Sequence, residues 1–125
     1  MGLSSRRSTR KTTGGRYIDF RKKRLSDIAR PPTLTKLSKK STSEFRIKAG
    51  RLKKILLNTD VANVYDPKTK KYQVVKIKTV VENPANRNFV RRNIITRGTI
   101  LETEIGKAKV TSRPGQVATL NAVLI

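Results

Sequence analysis

The sequence predicts an all-β protein: a small closed or nearly closed β-barrel of five to seven short strands, preceded by a long basic N-terminal extension that lacks a core. Three observations predict it. From Glu44 onward, short runs rich in β-branched residues are separated by turn residues at intervals of roughly 8 to 12. Apolar residues occupy 10 of the first 43 positions but 34 of the last 82, so only the second part can pack a core. Finally, 125 residues suffice for one small domain and not for two. The expected organisation is therefore an extension over 1–43, disordered when free, and a barrel domain over 44–125.

In the extension, Ser4, Ser5, Ser8, Thr9, Thr12, Thr13, Gly14, Gly15, Pro31 and Pro32 punctuate the charges. Such a stretch buries too little apolar surface to offset roughly 1 to 2 kcal/mol of backbone ordering per residue. Its one helical signal is Leu25, Ile28 and Ala29, stopped by the Pro31-Pro32 pair, which allows one or two turns. In the barrel, Phe45 and Ile47 alternate with Arg46 and Lys48 in a first half-buried strand, and Leu52 to Leu57 supplies a second. Val61 to Tyr65 and Tyr72 to Val81 form a hairpin around the Asp66-Pro67-Lys68-Thr69 connection, with Val75, Ile77, Thr79 and Val81 on one face. After Asn83-Pro84-Ala85-Asn86, Phe89-Val90 and Ile94-Ile95 read as extended chain up to the Arg97-Gly98 turn. Ile100 to Glu104 and Ala108 to Ser112 form a second hairpin in which Gly106 supplies a positive φ. Arg113-Pro114-Gly115-Gln116 turns the chain into a last strand alternating Ala118, Leu120, Ala122 and Leu124. Closure into a barrel removes the exposed edges that such strands would otherwise carry.

Charge sets the expected partner. Thirty Lys and Arg against eight Asp and Glu give a formal charge of +22, with +15 in residues 1–55 and +7 in 56–125. Self-repulsion of this size is best relieved by a polyanion, so nucleic acid leads the list of partners. The absence of Cys and His excludes thiolate metal sites, disulfides and His-based triads, so neither a metal nor another cofactor is expected. Glu102 and Glu104 share a strand face but read more simply as cross-strand partners of Lys107 and Lys109, while Asp60 and Asp66 suit turn positions. No Ser or Thr has a His to activate it, and an enzyme acting on a small-molecule substrate is not expected. No apolar run approaches the roughly 20 residues of a bilayer crossing, and the basic start has no apolar block behind it. No membrane partner, signal-directed secretion or homo-oligomer is expected.

The densest cationic stretch comprises Arg6, Arg7, Arg10, Lys11, Arg16, Arg21, Lys22, Lys23, Arg24 and Arg30, with Tyr17 and Phe20 among them. Arginine offers a planar fork to phosphate oxygens, and an aromatic ring offers a surface on which an unpaired base can stack. Thr13-Gly14-Gly15-Arg16 lacks the spacing of a nucleotide-binding P-loop and reads as a flexible joint or plain linker between phosphate-reaching side chains. Arg21 to Arg24 alone would also serve as a nuclear-import signal. On the barrel, Arg46, Lys48, Arg51, Lys53 and Lys54 flank the first connection, and Arg87, Arg91, Arg92, Arg97 and Arg113 gather at turns as a rim for backbone phosphates. Neither a zinc finger nor an aromatic platform is apparent, so binding by shape and charge is expected. A chromosome-coating DNA-binding protein fits the same charge, whereas a membrane-active cationic protein lacks its amphipathic helix.

Several segments carry a resemblance. Arg7-Ser8-Thr9-Arg10-Lys11 with Thr13-Gly14-Gly15, Arg21-Lys22-Lys23-Arg24 and Arg30-Pro31 are followed by Asp60-Val61-Ala62-Asn63-Val64 and Asp66-Pro67-Lys68-Thr69. Further on come Val80 to Asn86, Val90 to Ile95, Val110 to Gln116 and Asn121 to Ile125. The chain closely resembles, essentially end to end, the "eight-e" family of small-subunit ribosomal proteins of eukaryotic type in its compact archaeal form. The resemblance implies a structural protein of the small ribosomal subunit, cytoplasmic within the ribosome, that binds ribosomal RNA beside neighbouring ribosomal proteins. It implies an extension threaded into RNA, a barrel on the RNA surface, and no catalysis. An assembly factor that binds precursor ribosomal RNA and then leaves is the nearest alternative. Where the family typically has a double glycine followed by Asn, this chain has Ala49-Gly50-Arg51.

Overall fold

The computed structural model describes residues 6–125. The first five positions of the expected extension, Ser4 and Ser5 among them, lie outside the described residues. The chain divides into two compact units, one ending at Pro32 and the other running from Thr33 to Ile125. Among the described residues of the first unit none is buried, consistent with a composition that cannot form a core. Its helical signal is realised as a single 3-10 turn, Leu25–Asp27.

The second unit starts ahead of Glu44. Strands β1 (Lys36–Leu37) and β2 (Ser41–Arg46) both pair with β3 (Leu52–Thr59) in a three-stranded sheet ordered β1-β3-β2. Composition conceals these strands because β2 alternates exposed and half-buried residues and its sequence, Ser-Thr-Ser-Glu-Phe-Arg, is mostly polar. Phe45 is half-buried as the alternation predicts, but the strand stops at Arg46 and Ile47 is exposed. Backbone geometry at the following turn accounts for the stop. Ile47 N–H bonds to the Arg51 carbonyl at 2.8 Å, and Ala49 (φ 61°) and Gly50 (φ 71°) both take left-handed conformations. These are the positions at which the resemblance implies paired glycines. A Cβ in this region costs roughly 1 to 2 kcal/mol, partly offset by the extra freedom that glycine gives the unfolded chain. Ala49→Gly is therefore expected to stabilise the protein by about 0.5 to 1 kcal/mol; chemical denaturation would check this, and a lower denaturation midpoint would contradict it.

Strands β4 (Val61–Asp66), β5 (Lys71–Glu82), β6 (Ile100–Thr103), β7 (Lys107–Val110) and β8 (Asn121–Leu124) form a closed barrel in that order. Neighbours pair antiparallel except at closure, where β4 runs parallel to β8. The barrel is filled by Ala62, Val64, Val75, Ile77, Val80, Leu101, Ala108, Val110, Leu120 and Ala122, joined by Leu56 from β3 and by Ile95. Leu56 is held there by its backbone: its N–H bonds to the Pro114 carbonyl at 3.0 Å, and its carbonyl accepts from the buried Thr35 hydroxyl at 2.7 Å. The small sheet and the barrel thus share one core.

Three local expectations are corrected. Strict alternation along β5 fails beyond Ile77, because register shifts between Ile77 and Thr79 and between Val80 and Glu82 turn Val80 inward and leave Thr79 and Val81 exposed. Bulges of this kind let a 12-residue strand bend around a small barrel. Glu102 lies opposite Lys107 in register but forms no ion pair among the described residues; its carboxylate instead accepts from the Thr79 hydroxyl at 3.1 Å. Phe89 and Val90 lie in a short helix, α1 (Asn88–Arg91), and not in extended chain. Asn86 opens this helix by accepting the Asn88 amide at 2.9 Å, a local bond that competes with strand formation.

Candidate nucleic-acid interface

In the first unit the glycine pair is neither a joint nor a plain linker. It is the tip of a hydrogen-bonded hairpin. Tyr17 N–H bonds to the Thr9 carbonyl at 2.8 Å, Arg10 and Arg16 form an antiparallel bridge, Lys11 N–H reaches the Gly15 carbonyl at 2.8 Å, and Gly14 N–H returns to the Lys11 carbonyl at 3.1 Å. The hairpin gathers Arg10, Lys11 and Arg16, all exposed, around one loop. Cations also cover the two aromatic rings. The Arg7 guanidinium lies 4.0 Å from the Tyr17 ring centroid and the Lys11 ammonium 5.2 Å from it, while Arg6 and Arg21 each lie 5.3 Å from the Phe20 centroid. A base approaching Tyr17 would therefore meet the Arg7 plane, which is itself a stacking surface.

Two carboxylates organise the rest of this unit. Asp27 accepts from Arg21 at 2.7 Å and from the Arg24 backbone amide at 3.2 Å. The Arg21 hydrogen bond, followed by that amide, holds the Asp27 carboxyl below its usual range. Arg6 approaches Asp19 at 3.7 Å and Asp27 at 3.9 Å. Arg6 and Arg21 are thus half-buried and pair with acid groups, whereas Arg7, Arg10, Lys11, Arg16, Lys22, Lys23, Arg24 and Arg30 are exposed.

In the second unit, Arg46, Lys48 and Arg51 surround the β2–β3 turn and are exposed. Lys53 donates to the Gln116 side chain, and Lys54 pairs with Glu44 at 2.7 Å across the strands. Because both members of that pair are exposed, the bridge contributes no more than about 1 kcal/mol and leaves Lys54 available to a phosphate.

Arg87, Arg91 and Arg92 come together on and beside α1, all exposed, and Arg97 follows in the same loop. Arg91 and Arg92 are separated by the helical step of about 100° and not by the opposite faces of a strand, so both meet solvent. Arg113 stands on a different turn, where its carbonyl accepts the Gln116 and Val117 amides at 2.9 and 3.0 Å.

Sequence reading missed the residue that holds this arginine loop. Asn83 is 3% exposed, and its side chain meets three partners. It donates to the Ile94 carbonyl at 3.1 Å and accepts from the Ala85 amide at 3.0 Å and from the Thr96 hydroxyl at 2.9 Å. Thr96 is tied in turn to Thr99 through its amide at 3.0 Å. Gly98 (φ 86°) completes the closure: a side chain there would be strained by the positive φ, and its Cβ would stand a tight 3.3 Å from the Pro84 ring, so glycine suits the point where the two ends of the loop meet. The Asn-Pro dipeptide signals a break in structure, but nothing in it shows that the Asn side chain is buried.

Asp66 plays the turn role expected of it, accepting from the Lys68 amide at 2.9 Å and the Thr69 hydroxyl at 2.8 Å. These bonds, the Lys68 amide first, hold its carboxyl below the usual range. No group of His, Cys, Asp or Glu able to hold a metal ion occurs among the described residues, and no described helix is long and apolar enough to cross a membrane.

The family model for ribosomal protein S8e matches residues 4–125. Similar relatives include small ribosomal subunit protein eS8 of Picrophilus torridus, 46% identical over 125 residues and the full length of both chains. The protein of the same name in Methanocella arvoryzae is 47% identical over 95% of each chain. That of Sulfolobus acidocaldarius is 49% identical over 94% of this chain and 92% of its own. The family is one of ribosomal structural proteins and not of enzymes. A match spanning both compact units, on a strand-built barrel that carries exposed arginines, leads to one conclusion: this chain belongs to the ribosomal protein S8e family.

Proposed function

We propose that this chain is an architectural component of the small ribosomal subunit that binds ribosomal RNA through phosphate contacts and stabilises closely packed RNA helices. The observation that carries this reading is the full-length similarity to proteins named for the small ribosomal subunit, joined to a surface on which most predicted phosphate-binding side chains are exposed. In this reading the part of the basic N-terminal extension (1–43 by composition) that precedes Thr33 threads between RNA helices and becomes fully ordered on them, with Arg10, Lys11 and Arg16 presented by the glycine hairpin. The barrel rests on the RNA surface through Arg87, Arg91, Arg92 and Arg97, with the β2–β3 turn and Arg113 as further contacts. Neighbouring ribosomal proteins complete the environment, and the location is the cytoplasmic ribosome.

Sedimentation of native small subunits, with this chain followed quantitatively, tests the proposal. About one copy per mature subunit is expected at moderate salt, with release at high salt as phosphate contacts are screened. A chain found only on precursor particles would identify an assembly factor instead, and co-sedimentation with chromosomal DNA would overturn the ribosomal reading.

A further inference from the structure

The outer face of the barrel carries an exposed aromatic and lysine patch that the contacts considered above do not use. In β4, Ala62 and Val64 point into the core, so Val61, Asn63 and Tyr65 face outward. The strand register places Tyr65 opposite Tyr72, Asn63 opposite Val74, and Val61 opposite Lys76 on β5. On the other side it places Tyr65 opposite Val123 of β8, which faces Lys109 of β7. One row of side chains therefore runs Tyr72, Tyr65, Val123, Lys109 across four strands. The two tyrosine rings lie 4.8 Å apart between centroids at an interplanar angle of 40°. Tyr72 is 78% exposed and Val74 beside it 74%.

The charges around this open ring indicate the kind of partner. Lys76 and Lys109 bracket the patch on its own face. Carboxylates stand at its margins: Glu102 of β6, opposite Lys107 and engaged by the Thr79 hydroxyl; Glu104, whose amide donates to the Lys76 carbonyl; Asp60, next to Val61; and Asp66 in the hairpin turn, already engaged by Lys68 and Thr69. An exposed tyrosine ring backed by a second, tilted ring on a sheet surface and flanked by lysine point charges combines the two features that hold an unpaired nucleotide: a π-face for the base and cations for its phosphates.

We propose that this face is a second RNA site, in which an unpaired base stacks on Tyr72, supported by Tyr65, while Lys76 and Lys109 contact the flanking phosphates. It deepens the RNA-binding reading and rests on it. The pair is hidden in the sequence because the tyrosines lie seven residues apart and meet only through the hairpin register.

The test uses the full chain with two probes at matched salt, a 12-nucleotide oligoadenylate and a 12-base-pair RNA duplex, followed by fluorescence anisotropy. Tyr72→Ala is expected to weaken oligoadenylate binding at least about fivefold and duplex binding less than about twofold, since only unpaired bases can stack. Tyr72→Phe keeps the ring and is expected to bind like the parent, whereas Tyr72→Leu keeps only apolar bulk and is expected to behave like the Ala variant. Oligoadenylate binding unchanged in Tyr72→Ala, with duplex binding retained, sinks this site alone. Full affinity in Tyr72→Leu, or equal losses on both probes, overturns base stacking. A parent chain indifferent to both probes would overturn the RNA reading and this site together.

Discussion

A fourfold rise in monovalent salt is expected to weaken binding of this chain to a folded small-subunit ribosomal RNA fragment by about 300-fold, on the estimate that about six phosphates are neutralised with a slope of about −0.7 per contact. The first unit supplies cations for that number. Arg6 and Arg21 are engaged by Asp19 and Asp27, while eight further Lys and Arg between Arg7 and Arg30 are exposed. Removing residues 1–32 is expected to abolish most of the salt dependence and to preserve the β-strand circular dichroism, because the second unit begins at Thr33. A cut at residue 43 would be more damaging. It would remove β1, half of β2 and Thr35, whose buried hydroxyl caps the Leu56 carbonyl inside the core. An affinity that did not change between low and high salt would contradict the phosphate-contact mechanism outright.

Replacing Asn83 by Ala is expected to cost about 2 to 4 kcal/mol of stability, since it leaves the buried Ile94 carbonyl and the Ala85 amide without their partner and takes one of two hydroxyl partners from Thr96. Urea denaturation would measure the loss. Asn83→Asp should lie between the two, because it keeps both acceptor bonds, from Ala85 and Thr96, but cannot donate to Ile94 while ionised. RNA affinity is expected to fall as well, through misplacement of Arg87, Arg91 and Arg92 and without the loss of any charge. An Asn83→Ala protein within about 0.5 kcal/mol of the parent would show that the loop is held by other means.

Much of this architecture was legible from residue patterns, and the reasons are local. Alternation between Val61 and Tyr65, the Asp66-Pro67 turn and the Gly106 turn specify two hairpins whose strands pair as expected, because period-two burial and turn chemistry act over a few residues. What escaped notice depends on distant partners or on exceptions to the period. The β5 bulge answers to barrel curvature and not to any residue type at Lys78 or Thr79. The small sheet was obscured because its strands expose one face and carry the serines, threonines and lysines of an unstructured segment. Among the candidate contacts, sequence identified the cations but not their company. It gave no sign that the Arg7 guanidinium lies over the Tyr17 ring, that Arg21 is held by Asp27, or that Tyr65 and Tyr72 share a face, since each depends on a turn whose register composition does not set.

Parallel pairing of β4 with β8 also bears on how the chain reaches its native state. Asn63 and Asn121, which meet at this seam through their side chains at 3.2 Å, are 58 residues apart. Hairpins assemble quickly from neighbours, whereas a contact of such long range must first overcome the entropy of closing the intervening loop. Docking of the final strand is therefore the step expected to be slow, and until it occurs β4 would present an unprotected edge to any other extended chain.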